Sequence, residues 1–146
     1  MRPFRAIYRV WVTILTAAVV VQIFFAGFGL FDAYQKLNHG RTIDSHSFDG
    51  SMNQHIGFGY LIFLGTLVLL LISFGTRDRR RVYRSLAVAG LVFLQIVLAL
   101  FGGNVPYLVG GLHPLNAFVI LAFLASITYR EWKGRSESVE AAPAAA

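Results

Sequence analysis

The sequence predicts an all-α integral membrane protein: a four-helix up-down bundle built from two similar helical hairpins, with both termini cytoplasmic. Three observations predict it. Of 146 residues, 56% are hydrophobic and 14% charged, where a soluble domain of this size carries about 25% charged residues. Four apolar runs are long enough to cross a bilayer, for which roughly 20 residues suffice. Rare polar residues recur in the same order in both halves of the chain.

The N-terminus is basic, with Arg2, Arg5 and Arg9. The first span covers about 10–31. It is longer than the roughly 7–15 apolar residues of a signal peptide core and lacks a clear small-x-small cleavage site, so it reads as a retained helix. Residues 32–54 form a polar connection that holds His39 and His46. The second span, about 53–74, carries His55 as its first strongly polar side chain. Residues 75–84, GTRDRRRVYR, make a tight basic turn. The third span, about 82–103, contains Gln95 and stops at Gly102-Gly103, followed by a turn with Asn104 and Pro106. The fourth, about 112–130, opens on His113, with Pro114 in its first turn, where the missing N–H does no harm. Residues 1–130 thus read as one transmembrane domain. The tail, 131–146, has too little apolar surface to fold alone, which predicts a disordered cytoplasmic segment.

Of 13 Lys and Arg, only Lys36 and Arg41 lie in the first and third connections. The rest lie on the opposite side, and the positive-inside rule puts that side in the cytoplasm of a cell-membrane protein. Tyr8, Trp11, Tyr83, Tyr129 and Trp132 fall at the same level, where an aromatic belt is expected. The net charge of +6 is therefore a topology signal and not a nucleic-acid footprint. With no cysteine, disulfides, thiolate metal sites and covalent c-type haem attachment are excluded.

The repeat is read residue by residue. QIFFAGFGLF from Gln22 matches QIVLALFGGN from Gln95 at one constant offset, pairing Ile23 with Ile96, Ala26 with Ala99, and Phe28 with Phe101. In the other two spans His55 matches His113, Gly59 matches Ala117, and Tyr60 matches Phe118. Two copies of a hairpin running the same way through the membrane imply a pseudo-twofold axis along its normal.

Such an axis brings His55 and His113 to equivalent positions facing a common centre, as the two axial ligands of a haem iron require. Gly59 and Ala117, one turn further along, leave room for a flat macrocycle. Phe28, Phe101, Tyr60 and Phe118 are candidates to pack around its edge. Gln22 and Gln95 bond a facing helix or a bound ligand. Asn116, one step from the histidine face, is a candidate contact behind the ligands. The other reading of each histidine is a hydrogen bond to a neighbouring helix, and a divalent metal is a third. His39 and His46, in a polar connection, read as solvent-facing. Gly57 and Gly65 serve close helix packing. The spans contain no buried carboxylate, which argues against a proton pump, a carboxylate-coupled transporter or an acid–base enzyme.

The pattern LVFLQIVLALFGG followed by GLHPLNAFVIL, with HIGFGYLIFL from His55, resembles one half of haem A synthase. That family has two similar four-helix halves, in which helices two and four carry the haem-ligating histidines. The resemblance spans most of 10–130 and implies that His55 and His113 hold haem. The family's first histidine is preceded at three residues by a glutamate thought to act in the oxidation, and is followed by an arginine. Met52 and Ile56 stand there in this chain, and only one half is present. The resemblance therefore implies a haem pocket without the synthase chemistry.

The sequence reading is a membrane haem b protein with bis-histidine ligation near the outer face, acting in electron transfer, haem handling or redox sensing. Its partners would be membrane lipid and a redox protein or larger membrane complex. Two readings stay open beside it: a cofactor-free accessory subunit of a membrane complex, and a haem-modifying enzyme that acts as a homodimer.

Overall fold

The computed structural model describes residues 2–101 and 110–140, with side chains described for 3–101 and 110–134. The described residues form four long helices: α1 (Arg2–Asn38), α2 (Ser45–Gly75), α3 (Arg79–Phe101) and α4 (Leu112–Glu140). All four are long and apolar enough to cross a membrane, as expected of a multi-pass membrane protein. The turn read at Gly102, Gly103, Asn104 and Pro106 lies outside the described residues.

The helices outrun the apolar stretches that betray them. α1 has 37 residues, a length of about 55 Å against a hydrocarbon core of about 30 Å. Hydropathy sees only the part of a helix that needs lipid. The ends are fixed by hydrogen bonding instead. α1 stops where Gly40 takes φ +74°. Its N–H reaches Leu37 O at 2.9 Å and the next N–H, from Arg41, reaches Lys36 O at 3.0 Å, a Schellman stop. α2 starts at Asp44, whose carboxylate accepts from the Ser47 N–H at 2.8 Å while the Ser47 hydroxyl faces the Asp44 backbone N–H at 3.1 Å. This reciprocal cap turns 45–54, read from sequence as loop, into helix. Asp78 opens α3, accepting from the Arg80 N–H at 2.9 Å.

At its far end α4 continues through Glu140, past the 112–130 span read from the sequence. The first turn of this continuation is anchored: Arg81 binds Glu131 through two hydrogen bonds, and Trp132 Nε1 donates to Thr13 Oγ1 at 3.0 Å.

α1 packs against α2 and α4, and α3 packs against the same two. Contacts along α1 rise in number as those on α2 fall: Trp11 with Gly65, Gln22 with His55, Lys36 with Ser51. The same reversal holds between α3 and α4, from Arg81 with Glu131 to Gln95 with His113.

The core fills one half of the bundle. Tyr8, Val12, Leu15 and Val19 form a stripe on α1 and meet Leu69, Val88, Leu124 and Ile127. The Tyr8 side chain is buried against Ser85, and Trp11 donates to the Gly65 carbonyl at 2.8 Å. These two aromatics thus turn into the bundle and do not join the expected belt. Tyr83 and Tyr129 do face outward. Beyond Val19 the inward stripe changes to Gln22, Ala26 and Gly27. The side chains shrink and a space opens.

Candidate functional site

That space is a cavity of about 1000 Å³ walled by all four helices, large for a small-molecule site. Its walls repeat in register. Gln22, Ile23 and Ala26 on α1 line it, as do Gln95, Ile96 and Ala99 on α3. His55, Gly59 and Tyr60 on α2 line it, as do His113, Ala117 and Phe118 on α4. Each set falls at helical spacing, so one face of each helix is presented to the same space.

His55 and His113 meet across the cavity, their ring centroids 6.1 Å apart and their planes inclined by 67°. Each ring is held from behind by a backbone carbonyl of the neighbouring helix. His55 Nδ1 lies 3.2 Å from Gln22 O, and His113 Nδ1 lies 3.1 Å from Gln95 O. A carbonyl oxygen accepts only, so each Nδ1 carries a proton, and in the neutral ring Nε2 is the nitrogen with the lone pair. The carbonyl thereby fixes ring orientation and tautomer, as the outer partner of a metal-ligating histidine does. The 6.1 Å spacing suits two imidazoles on opposite sides of one metal centre, with metal–nitrogen distances of about 2 Å each plus the ring radii.

The glutamines behind the histidines differ in their bonding. Gln22 Nε2 donates to the His55 carbonyl at 2.8 Å, closing a reciprocal pair, while its Oε1 is buried with no partner among the described residues. Gln95 Oε1 accepts from Asn116 Nδ2 at 2.8 Å, and the same amide nitrogen contacts Leu91 O at 3.0 Å. The repeat puts Phe58 where Asn116 stands, so Gln22 lacks the donor that Gln95 has.

Gly59 sits close to Gln22: a Cβ there would lie 3.0 Å from Gln22 Nε2, which would have to give by a few tenths of an ångström. Asn116 is buried and sits behind the wall, not in it. Phe28 and Phe101 do not line the cavity. Phe28 is half-exposed and packs its ring against Phe24, and Phe101 is also largely exposed. One residue past Gly27 or Leu100 on the lining face is a rotation of about 100°, which carries both rings off it.

No family model, curated protein or solved structure matches this chain.

The rim of the cavity comes from a stretch that the sequence reading took as a loop, and His46 there is exposed, as expected. Because α2 begins at Ser45, His46, Asp49 and Asn53 fall on its cavity face and line the space above the histidine pair. The Asp44-x-x-Ser47 cap is the signal that reveals it. His39 stays outside, with Nδ1 2.7 Å from Gln35 O at the end of its own helix.

Proposed function

We propose that this chain is a membrane haem b protein in which His55 and His113 bind the iron from opposite sides. The observation that carries the reading is the pair itself: two imidazoles 6.1 Å apart across a cavity, each with Nδ1 turned back to a backbone carbonyl. Mostly apolar walls and the small residues Gly59 and Ala117 suit a flat macrocycle. A haem held there would supply a one-electron couple. With both axial positions taken by histidine, no site is left for oxygen or substrate, which favours electron transfer, haem handling or redox sensing over catalysis. Met52, standing where haem A synthase has its glutamate, supports the same view.

The rest of the reading follows the chain's symmetry. The matching cavity walls support a duplicated hairpin and an up-down bundle. The distribution of Lys and Arg supports cytoplasmic termini in a cell-membrane protein, which puts the histidines toward the outer face. A redox protein or a larger membrane complex would then exchange electrons on that side.

A reduced-minus-oxidised visible spectrum of the purified full-length protein tests this. Low-spin b-type bands are expected. A colourless, well-behaved preparation from haem-replete cells would refute it in favour of a cofactor-free subunit. Conversion of the bound haem during turnover by a dimer would favour the enzyme reading.

A further inference from the structure

The end of the bundle opposite the histidines gathers positive charge. The start of α1, the start of α3 and the far part of α4 meet there: the Arg81 guanidinium lies 5.7 Å over the Tyr8 ring and binds Glu131 at 2.9 Å. Two carboxylates are described at this end, Asp78 and Glu131, and Arg81 takes both. Asp78 also caps α3 through the Arg80 N–H. Neighbouring Arg77, Arg79, Arg80 and Arg84 form no ion pair with described side chains, and the first three are exposed.

Arg77 adds an independent sign. It has φ +54° and follows the helix cap Thr76, with its N–H on Phe74 O at 3.2 Å. This is the left-handed stop position that Gly40 fills at the end of α1. Glycine adopts it without strain, whereas an arginine must force its Cβ against the backbone. The backbone alone would favour glycine, so the position keeps its charge against a conformational cost.

We propose that Arg77, Arg79, Arg80 and Arg84 bind the phosphate headgroups of anionic phospholipids in the leaflet this end meets. Arg77 lies in the turn between α2 and α3, and Arg79, Arg80 and Arg84 lie in the first two turns of α3. The connecting turn joins two helices long enough to cross a membrane, which puts these guanidinium groups at headgroup depth. Phe74 and Tyr83 point outward beside them, 58% and 68% exposed, as lipid-facing aromatics at an interface do. Each arginine near a charged membrane surface strengthens attraction to it, and guanidinium matches phosphate with paired N–H donors.

The test uses full-length protein in detergent, with retention of phosphatidylglycerol and phosphatidylcholine of matched acyl chains read by native mass spectrometry. Wild type retains the anionic lipid preferentially. Arg77→Gly weakens that preference roughly fivefold while the unfolding temperature stays equal or rises, because the backbone strain is relieved. Arg79→Gln with Arg80→Gln weakens it further. Equal retention of both lipids by wild type, or an unchanged preference in both variants, overturns the proposal. Displacement of the lipid by inorganic phosphate at matched concentration also overturns it.

Discussion

Arg81 grips Glu131 with two parallel hydrogen bonds, Nε to Oε1 at 3.0 Å and Nη2 to Oε2 at 2.9 Å, tying α3 to α4 at the end away from the cavity. Both side chains are largely buried, 15% and 8% exposed. Removing one partner leaves the other charge poorly compensated, although Arg81 keeps Asp78. Glu131→Gln is expected to cost about 2 kcal/mol, below the range for a fully buried pair. Thermal unfolding in detergent reads the loss. Arg81→Met with Glu131→Leu should recover most of it, since a buried pair replaced by apolar side chains is often neutral.

At the cavity, His55→Ala and His113→Ala are each expected to abolish low-spin haem on their own, because one remaining imidazole cannot supply both axial positions. Visible spectra read the loss, and far-ultraviolet circular dichroism checks that the helices persist. Retention of unaltered low-spin bands by either variant would rule that histidine out as a ligand.

Gly29 and Gly90 make a matched pair. A Cβ on Gly29 would come 2.8 Å from Ser51 O and would also strike Met52. Backbone cannot yield as a flexible side chain can, so α1 and α2 must part. Gly29→Ala should cost about 1–3 kcal/mol. A Cβ on Gly90 meets nothing within 4 Å, and Gly90→Ala should stabilise by about 0.5–1 kcal/mol through helix propensity. Unfolding temperatures moving in opposite directions check both.

Asp44 links the start of α2 to pH. Hydrogen bonds from the Ser47 hydroxyl, then from the Ser47 backbone N–H, hold its carboxyl below the ordinary value of 3.8. A carboxyl depressed in the folded state stabilises fully above its unfolded value and loses that contribution as pH falls through its folded one. Hydrogen exchange in the first turn of α2 should therefore stay slow from neutral pH down to about 4 and quicken below it, after correction for intrinsic rates. Asp44→Ala should quicken the same amides at every pH.

Much of this site was legible in the sequence because the matching segments pair positions as well as residues. Gln22 with Gln95 and His55 with His113 mark the cavity walls without any coordinates. The same logic misleads for Phe28 and Phe101: matched residues share an environment, but here it is outside the cavity. His46 is exposed, as expected; that it also borders the cavity was not foreseen because a polar stretch was read as loop, although Asp44 and Ser47 carry a helix start. The bonding of Asn116 to Gln95 Oε1 was beyond reach, since periodicity gives a face and not a partner. The Arg81–Glu131 contact was also beyond reach, since it joins residues 50 positions apart.

The two glutamine amides leave the cavity chemically unequal. Gln95 Oε1 is already taken by Asn116, whereas Gln22 spends its nitrogen on the His55 carbonyl and keeps a buried oxygen with no partner among the described residues. A hydrogen-bond donor that reaches this depth therefore finds its open acceptor on the α1–α2 side.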